Sequence, residues 1–281
     1  TNATASTLDL TVNGGKKGLG DVTAPTYTTV NVHTTGTDTT VKLTANAATA
    51  LKIDGSNLLT LSNGSLGSSS ASGAVKTVTV SGAAGVTADF SGSTVTSVDV
   101  SASSAANTVT IDATRATFAG GAGNDTVTIT AQPSKTISGG AGTDTADYSG
   151  LGTGVTLLSQ GVVAKGNGGT DLLISIEHII GAAGKANLID GTVANPATQT
   201  TSFNIDLGAN SLQVNGIPGL GSLNFVVDNF NQVRGTNNAD VITGAATNDT
   251  FFGSAGNDTY NGAAGTDTMD YSTLGTAVTL R

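Results

Sequence analysis

The sequence predicts an all-β chain, a right-handed parallel β-solenoid, and three observations lead there. Gly accounts for 39 of 281 residues and Pro for only 4, which excludes both collagen and a proline-rich linker. The acidic side chains are almost all aspartate, with Glu177 the sole glutamate, whereas a helical protein would use glutamate freely. Short runs of alternating apolar and polar residues recur between Gly, Ser and Asn clusters, with no helix-length pattern among them.

In chain order, the first stretch carries LDLTV from Leu8, TTVNV from Thr28, TVKL from Thr40, LLTL from Leu58, TVTV from Thr77, SVDV from Ser97 and TVTI from Thr108. Regular short strands of this kind suit a solenoid, a sandwich or a barrel. A register favours the solenoid: NTVTI from Asn107 aligns with DTVTI from Asp125, one coil of about eighteen residues apart. Residues 1–117 therefore read as a β-helix or β-repeat region poor in bound metal, with an independent sandwich as the alternative. Residues 118–191 continue as a β-roll whose last coil is degenerate. There IEHIIGAAGKANLI from Ile176 parallels FNQVRGTNNADVIT from Phe230, which places Ala186 where the second copy has Asp240. Residues 192–233, with FNIDL, LQV and NFVVDNF, read as the same coil with longer loops. Residues 234–281 are the most regular part and form a second β-roll. Arg281 falls inside a repeat, so the chain reads as part of something longer.

Four aspartates in this last region, Asp240, Asp249, Asp258 and Asp267, recur every nine residues. The blocks GTNNADVIT, GAATNDTFF, GSAGNDTYN and GAAGTDTMD each open on glycine and close on strand-forming residues. GGAGNDTVT from Gly120 and GGAGTDTAD from Gly139 repeat the pattern upstream. Two units make one coil, so Asp240 stacks on Asp258 and Asp249 on Asp267. Carboxylates about 4.8 Å apart repel by about 3 kcal/mol at an effective dielectric of 20. Calcium reverses that sign, since it takes six to eight hard oxygens and accepts both carboxylates and bent backbone carbonyls. The apolar residue of each unit, Ile242, Phe251, Tyr260 or Met269, then points between the sheets.

Composition narrows the partners. A net charge of −9 lacks the Lys and Arg clusters that nucleic acid requires and favours divalent cations. No apolar run approaches the length of a membrane-spanning helix, so no membrane insertion is expected. Cysteine is absent, which leaves metal as the substitute for disulfides outside the cell. His33 and His178 are the only histidines and stand in no zinc-binding spacing, no nucleophile motif is present, and the chain is expected not to be an enzyme. Asp147-Tyr148 and Asp270-Tyr271 pair a carboxylate with a phenol, and their recurrence in both copies argues for a structural role.

The nonapeptide blocks resemble the RTX family of calcium-binding repeat proteins, strongly over 118–150 and 234–273. The resemblance implies a β-helix running into a calcium-binding β-roll, export by a type I system, and an extracellular location at the bacterial cell surface. Carried over residue by residue, the metal ligands are Asp125, Asp144, Asp240, Asp249, Asp258 and Asp267. Gly121, Gly123, Gly140, Gly142, Gly253, Gly256, Gly262 and Gly265 shape the turns and offer carbonyls. Thr, Ser, Gly and Ala dominance and the lack of a catalytic set look most like a surface-layer protein that self-associates into a lattice. An RTX adhesin, or an accessory domain of a secreted enzyme or toxin, is the alternative. Cell-surface polysaccharide is a further candidate partner. Asp206 and Asp228 are candidates for ions shared between molecules.

Overall fold

The computed structural model describes residues 6–14, 20–62, 66, 75–111, 117–130, 134–166, 168–193 and 198–275; Arg281 lies outside this set. The chain divides into two compact units, residues 1–147 with 172–176, and residues 148–171 with 177–281.

The first unit is a two-sheet coil in which successive strands alternate between the sheets. One sheet stacks Thr7–Asn13, Thr29–Thr35, Ala50–Gly55, Thr77–Gly82, Ser97–Ser103, Thr117–Ala119 and Thr136–Ser138. The other stacks Gly20–Thr23, Thr39–Thr44, Leu58–Ser62, Gly85–Asp89, Thr108–Ile111, Thr126–Ile129 and Thr145–Asp147. The strands within these two stacks pair parallel, and their apolar residues superimpose, Val30 on Leu51 and Val109 on Val127 among them. The N-terminal strands thus belong to the coil and form no separate sandwich.

Alternation produces the core. Val30, Val32, Leu51, Ile53, Val78, Val80, Val98 and Val100 form one inward column pair and are at most 3% exposed. β-branched side chains fill this space because each needs only one χ1 well on a pleated surface. At about 25 cal/mol per Å2, such columns supply the apolar stabilisation that few aromatics could.

The second unit keeps the two-sheet plan but is interrupted by antiparallel pieces. Thr156–Leu158 pairs antiparallel with Val162–Ala164 before stacking parallel on Leu188–Asp190. Ser202–Asp206, Ser211–Ile217 and Gly221–Asp228 form an antiparallel meander. Its outer strands rejoin the stack, Gly221–Asp228 on His178–Ile180 and Ser202–Asp206 on Val241–Thr243, both parallel. The expectation of a plain coil with longer loops over 192–233 is therefore corrected: the segment between parallel neighbours is a hairpin meander. Glycines at positive φ, Gly216, Gly219 and Gly221, allow its reversal. Beyond it, Gln232–Arg234, Thr250–Phe252 and Thr268–Asp270 stack on one sheet, and Val241–Thr243 with Thr259–Asn261 on the other.

Candidate metal centre

The nonapeptide aspartates sit one residue before each short strand, where the turn enters the sheet, and they form columns. Asp240 N–H donates to Asp258 Oδ1 at 3.0 Å, and Asp249 N–H to Asp267 Oδ1 at 3.0 Å. This is the stacking expected from the nine-residue spacing. In the first unit Asn107 N–H and Nδ2 both donate to Asp125 Oδ1 at 2.9 Å, and Asp125 N–H donates to Asp144 Oδ1 at 2.7 Å. Asn107 thus occupies an aspartate position, as its register suggests. Asp125, Asp144, Asp240 and Asp249 are all buried, while Asp258 and Asp267 are half-buried.

The degenerate coil differs from expectation. Asn187, and not Ala186, holds the position of Asp240, because the turn carries one residue more than a plain alignment allows. Asn187 immediately precedes the strand Leu188–Asp190, as Asp240 precedes Val241–Thr243. Its Oδ1 accepts from Ala182 N–H at 3.1 Å and Val155 N–H at 3.0 Å, while Nδ2 donates to Ala182 O and Asn229 O. Asn187 N–H in turn donates to Asn231 Oδ1. An amide closes its turn with its own donors and acceptor and needs no cation.

A carboxylate cannot do this, being an acceptor only. The second residue of each block decides how far the deficit is met. Thr236 Oγ1 donates to Asp240 at 3.0 Å and Ser254 Oγ to Asp258 at 2.9 Å. The other column has Ala245 and Ala263 at that place, and Asp249 Oδ1 is buried with no hydrogen-bond partner. Burial pushes the Asp249 carboxyl up from its ordinary value despite the Ala245 N–H, and the Asp267 charge pushes it further. Burial also raises Asp240, against N–H donors from Phe203 and Thr236. Burial raises the Tyr260 phenol, whose hydroxyl reaches Asp258 Oδ2, to about 12.

Glycines make room for this arrangement. A Cβ on Gly140, Gly142, Gly256 or Gly265 would lie 2.3 to 2.7 Å from a carbonyl oxygen of the preceding coil, and all four have positive φ. Gly121 and Gly123 abut the carbonyls of Ser103 and Ala105, Gly262 abuts its own block's Asp267, and Gly253 makes room for the Tyr271 ring. Sequence reasoning passed over the opening glycines Gly120, Gly139, Gly235 and Gly244. In each case an added Cβ would meet the carboxylate of the same block, at 2.8, 2.4, 2.4 and 2.6 Å. Their signal was the invariant first letter of every block.

These features fit calcium. Acceptor-only carboxylates lie beside stacked carbonyls in a cradle that any side chain would fill, and one buried carboxylate oxygen lacks a donor. Among the described residues no three His, Cys, Asp or Glu side chains converge on one point. Backbone carbonyls must therefore supply much of any coordination shell. Asp270 lies outside this centre: the Ser272 hydroxyl, together with the Ser272 N–H that donates to Oδ1 at 2.7 Å, holds its carboxyl below the ordinary value. Asp228 is engaged by His178 Nε2 at 2.5 Å, and Asp206 Oδ1 accepts from Ala209 N–H.

The family model of the RTX calcium-binding nonapeptide repeat matches residues 116–128 and 234–269, in four copies. The chain thus carries repeats of the RTX calcium-binding family, and Ca2+ is the ion they bind. The columns extend the same design to Asp144, outside the matched residues. No curated protein matches the chain.

Proposed function

We propose that this protein is a calcium-dependent structural component of the bacterial cell surface, a surface-layer lattice protein that calcium folds after export. Proteins with RTX repeats are typically exported by type I secretion, which accords with an extracellular location. The observation that carries the lattice reading is the repetition of one coil plan through both units, with Asn and Asp exchanging at one turn position. Such a chain is a scaffold whose rigidity calcium sets. In the cytosol, where calcium is scarce, buried carboxylates oppose folding and keep the chain threadable; outside, ion binding supplies folding free energy. Self-association into arrays, with cell-surface polysaccharide as a further partner, follows from the extended flanks of a solenoid. No catalytic role is part of the proposal.

A calcium titration of the full-length protein tests it. Circular dichroism should show β-signal lost in chelator and restored by calcium far below the magnesium needed. Light scattering and electron microscopy should then show ordered arrays as calcium rises further. Folded monomers alone at millimolar calcium would rule out the lattice role and favour an accessory domain of a secreted protein.

A further inference from the structure

The second unit contains an ionic cluster that the calcium centre does not use. Lys165 and Asp171 have side-chain exposures of 0% and 0%, and Lys165 Nζ lies 2.5 Å from Asp171 Oδ1. Tyr148, also fully buried, donates its hydroxyl to Asp171 Oδ2 at 3.1 Å. Lys165 N–H donates to Gly169 O, and Gly168 N–H to Lys165 O, closing a turn that returns the chain to Asp171. A buried ion pair is a poor stabilising device: desolvation costs several kcal/mol per ion, and apolar residues of similar size often do as well. The arrangement of the three groups suits chemistry better.

We propose that Lys165 and Asp171 condense into an intramolecular isopeptide bond between Nζ and Cγ. One proton crosses the short contact from Nζ to Oδ1 and frees the amine lone pair, which attacks Cγ. A tetrahedral intermediate forms, with negative charge on Oδ2. On collapse the Cγ–Oδ1 bond breaks and a second proton leaves nitrogen with that oxygen, so one water departs and one N–H remains on the amide. Nothing is oxidised or reduced, and no co-reactant is needed.

Tyr148 is placed to donate to Oδ2, the oxygen that becomes the oxyanion. Burial, reinforced by the Asp171 charge, holds its phenol well above the ordinary value, so it stays a proton donor at neutral pH. Fixed contact between amine and carboxyl replaces a bimolecular encounter, an advantage that reaches effective concentrations of about 10^5 M or more. Burial of all three side chains keeps out the water that would reverse the reaction. The inference is independent of the lattice proposal.

The test is the mass of the full chain folded in calcium and then denatured. It should be one water lighter than the sequence. Trypsin does not cut after an acylated lysine, so the denatured digest should contain residues 136–185 as one peptide, uncut at Lys165 and lacking one water. Lys165→Arg should restore the full sequence mass, and Tyr148→Phe should slow bond formation about a hundredfold in a time course from fresh synthesis. A wild-type chain with full β-signal, full sequence mass and complete cleavage at Lys165 overturns the proposal, whether or not the variants fold. Cross-linking of Tyr148→Phe at the wild-type rate overturns the role given to Tyr148.

Discussion

Asp249→Asn should change stability in opposite directions with and without calcium. Without it, Asp249 is a buried carboxylate with one unpartnered oxygen, stacked on Asp267. Two charges one strand spacing apart repel by about 3 kcal/mol at an effective dielectric of 20. Asp267 is half-buried, so solvent screening leaves roughly 1 kcal/mol to recover by neutralising one partner. The chain itself shows that an amide fits, since Asn107 holds the equivalent place and donates to Asp125. In calcium the same change removes a charged oxygen and should weaken binding at least tenfold, about 1.4 kcal/mol. Urea unfolding followed by circular dichroism, in chelator and in calcium, reads both effects. A variant less stable than wild type in chelator, with an unmoved calcium midpoint, would show that Asp249 is an ordinary turn residue.

Four further outcomes are expected. Gly244→Ala places a Cβ 2.6 Å from both Asp249 Oδ2 and Gly262 O and should cost about 1–3 kcal/mol. Gly150→Ala, with open space around it, should be nearly neutral when both variants are compared with wild type by thermal melts. Ala263 adopts φ 64, where the upstream block has Gly140, so Ala263→Gly should stabilise by up to about 1 kcal/mol in denaturant titrations. Because burial raises the folded Tyr148 phenol above its unfolded value, its contribution is intact below the ordinary phenol range and falls as pH rises through it. Alkaline unfolding curves should show that slope in wild type and a shallower one in Tyr148→Phe, where the raised Tyr260 phenol still contributes.

The repeat spacing alone revealed the coil, the Asp240–Asp258 and Asp249–Asp267 columns, and Asn107 as their uncharged counterpart. Each depends on neighbours a fixed step apart, and a fixed step is visible in one sequence. Asn187 escaped because a single extra turn residue breaks that step without disturbing the strand that follows. The meander escaped because glycine-punctuated apolar runs such as LQV and NFVVDNF alternate identically whether the next strand runs parallel or antiparallel. The Tyr148–Lys165–Asp171 cluster could not be foreseen, since nothing about an isolated lysine tells which carboxylate it will meet. The difference between the Thr/Ser and Ala columns was present in the letters, but it gains meaning only once carboxylates and hydroxyls are placed face to face.

The hairpin meander shows how freely this stack accepts extra length. Asn187 and Asn231 are stacked neighbours 44 residues apart, whereas Asp240 and Asp258 are 18 apart. Loop-closure entropy grows only with the logarithm of length, so the longer excursion costs about 0.8 kcal/mol more. Its tip, Pro218–Leu220, is exposed. A foreign peptide grafted there would be carried outward on a two-stranded arm while the rungs on either side kept their pairing. Evolution or an engineer could thus use this point to decorate the second unit without rewriting it.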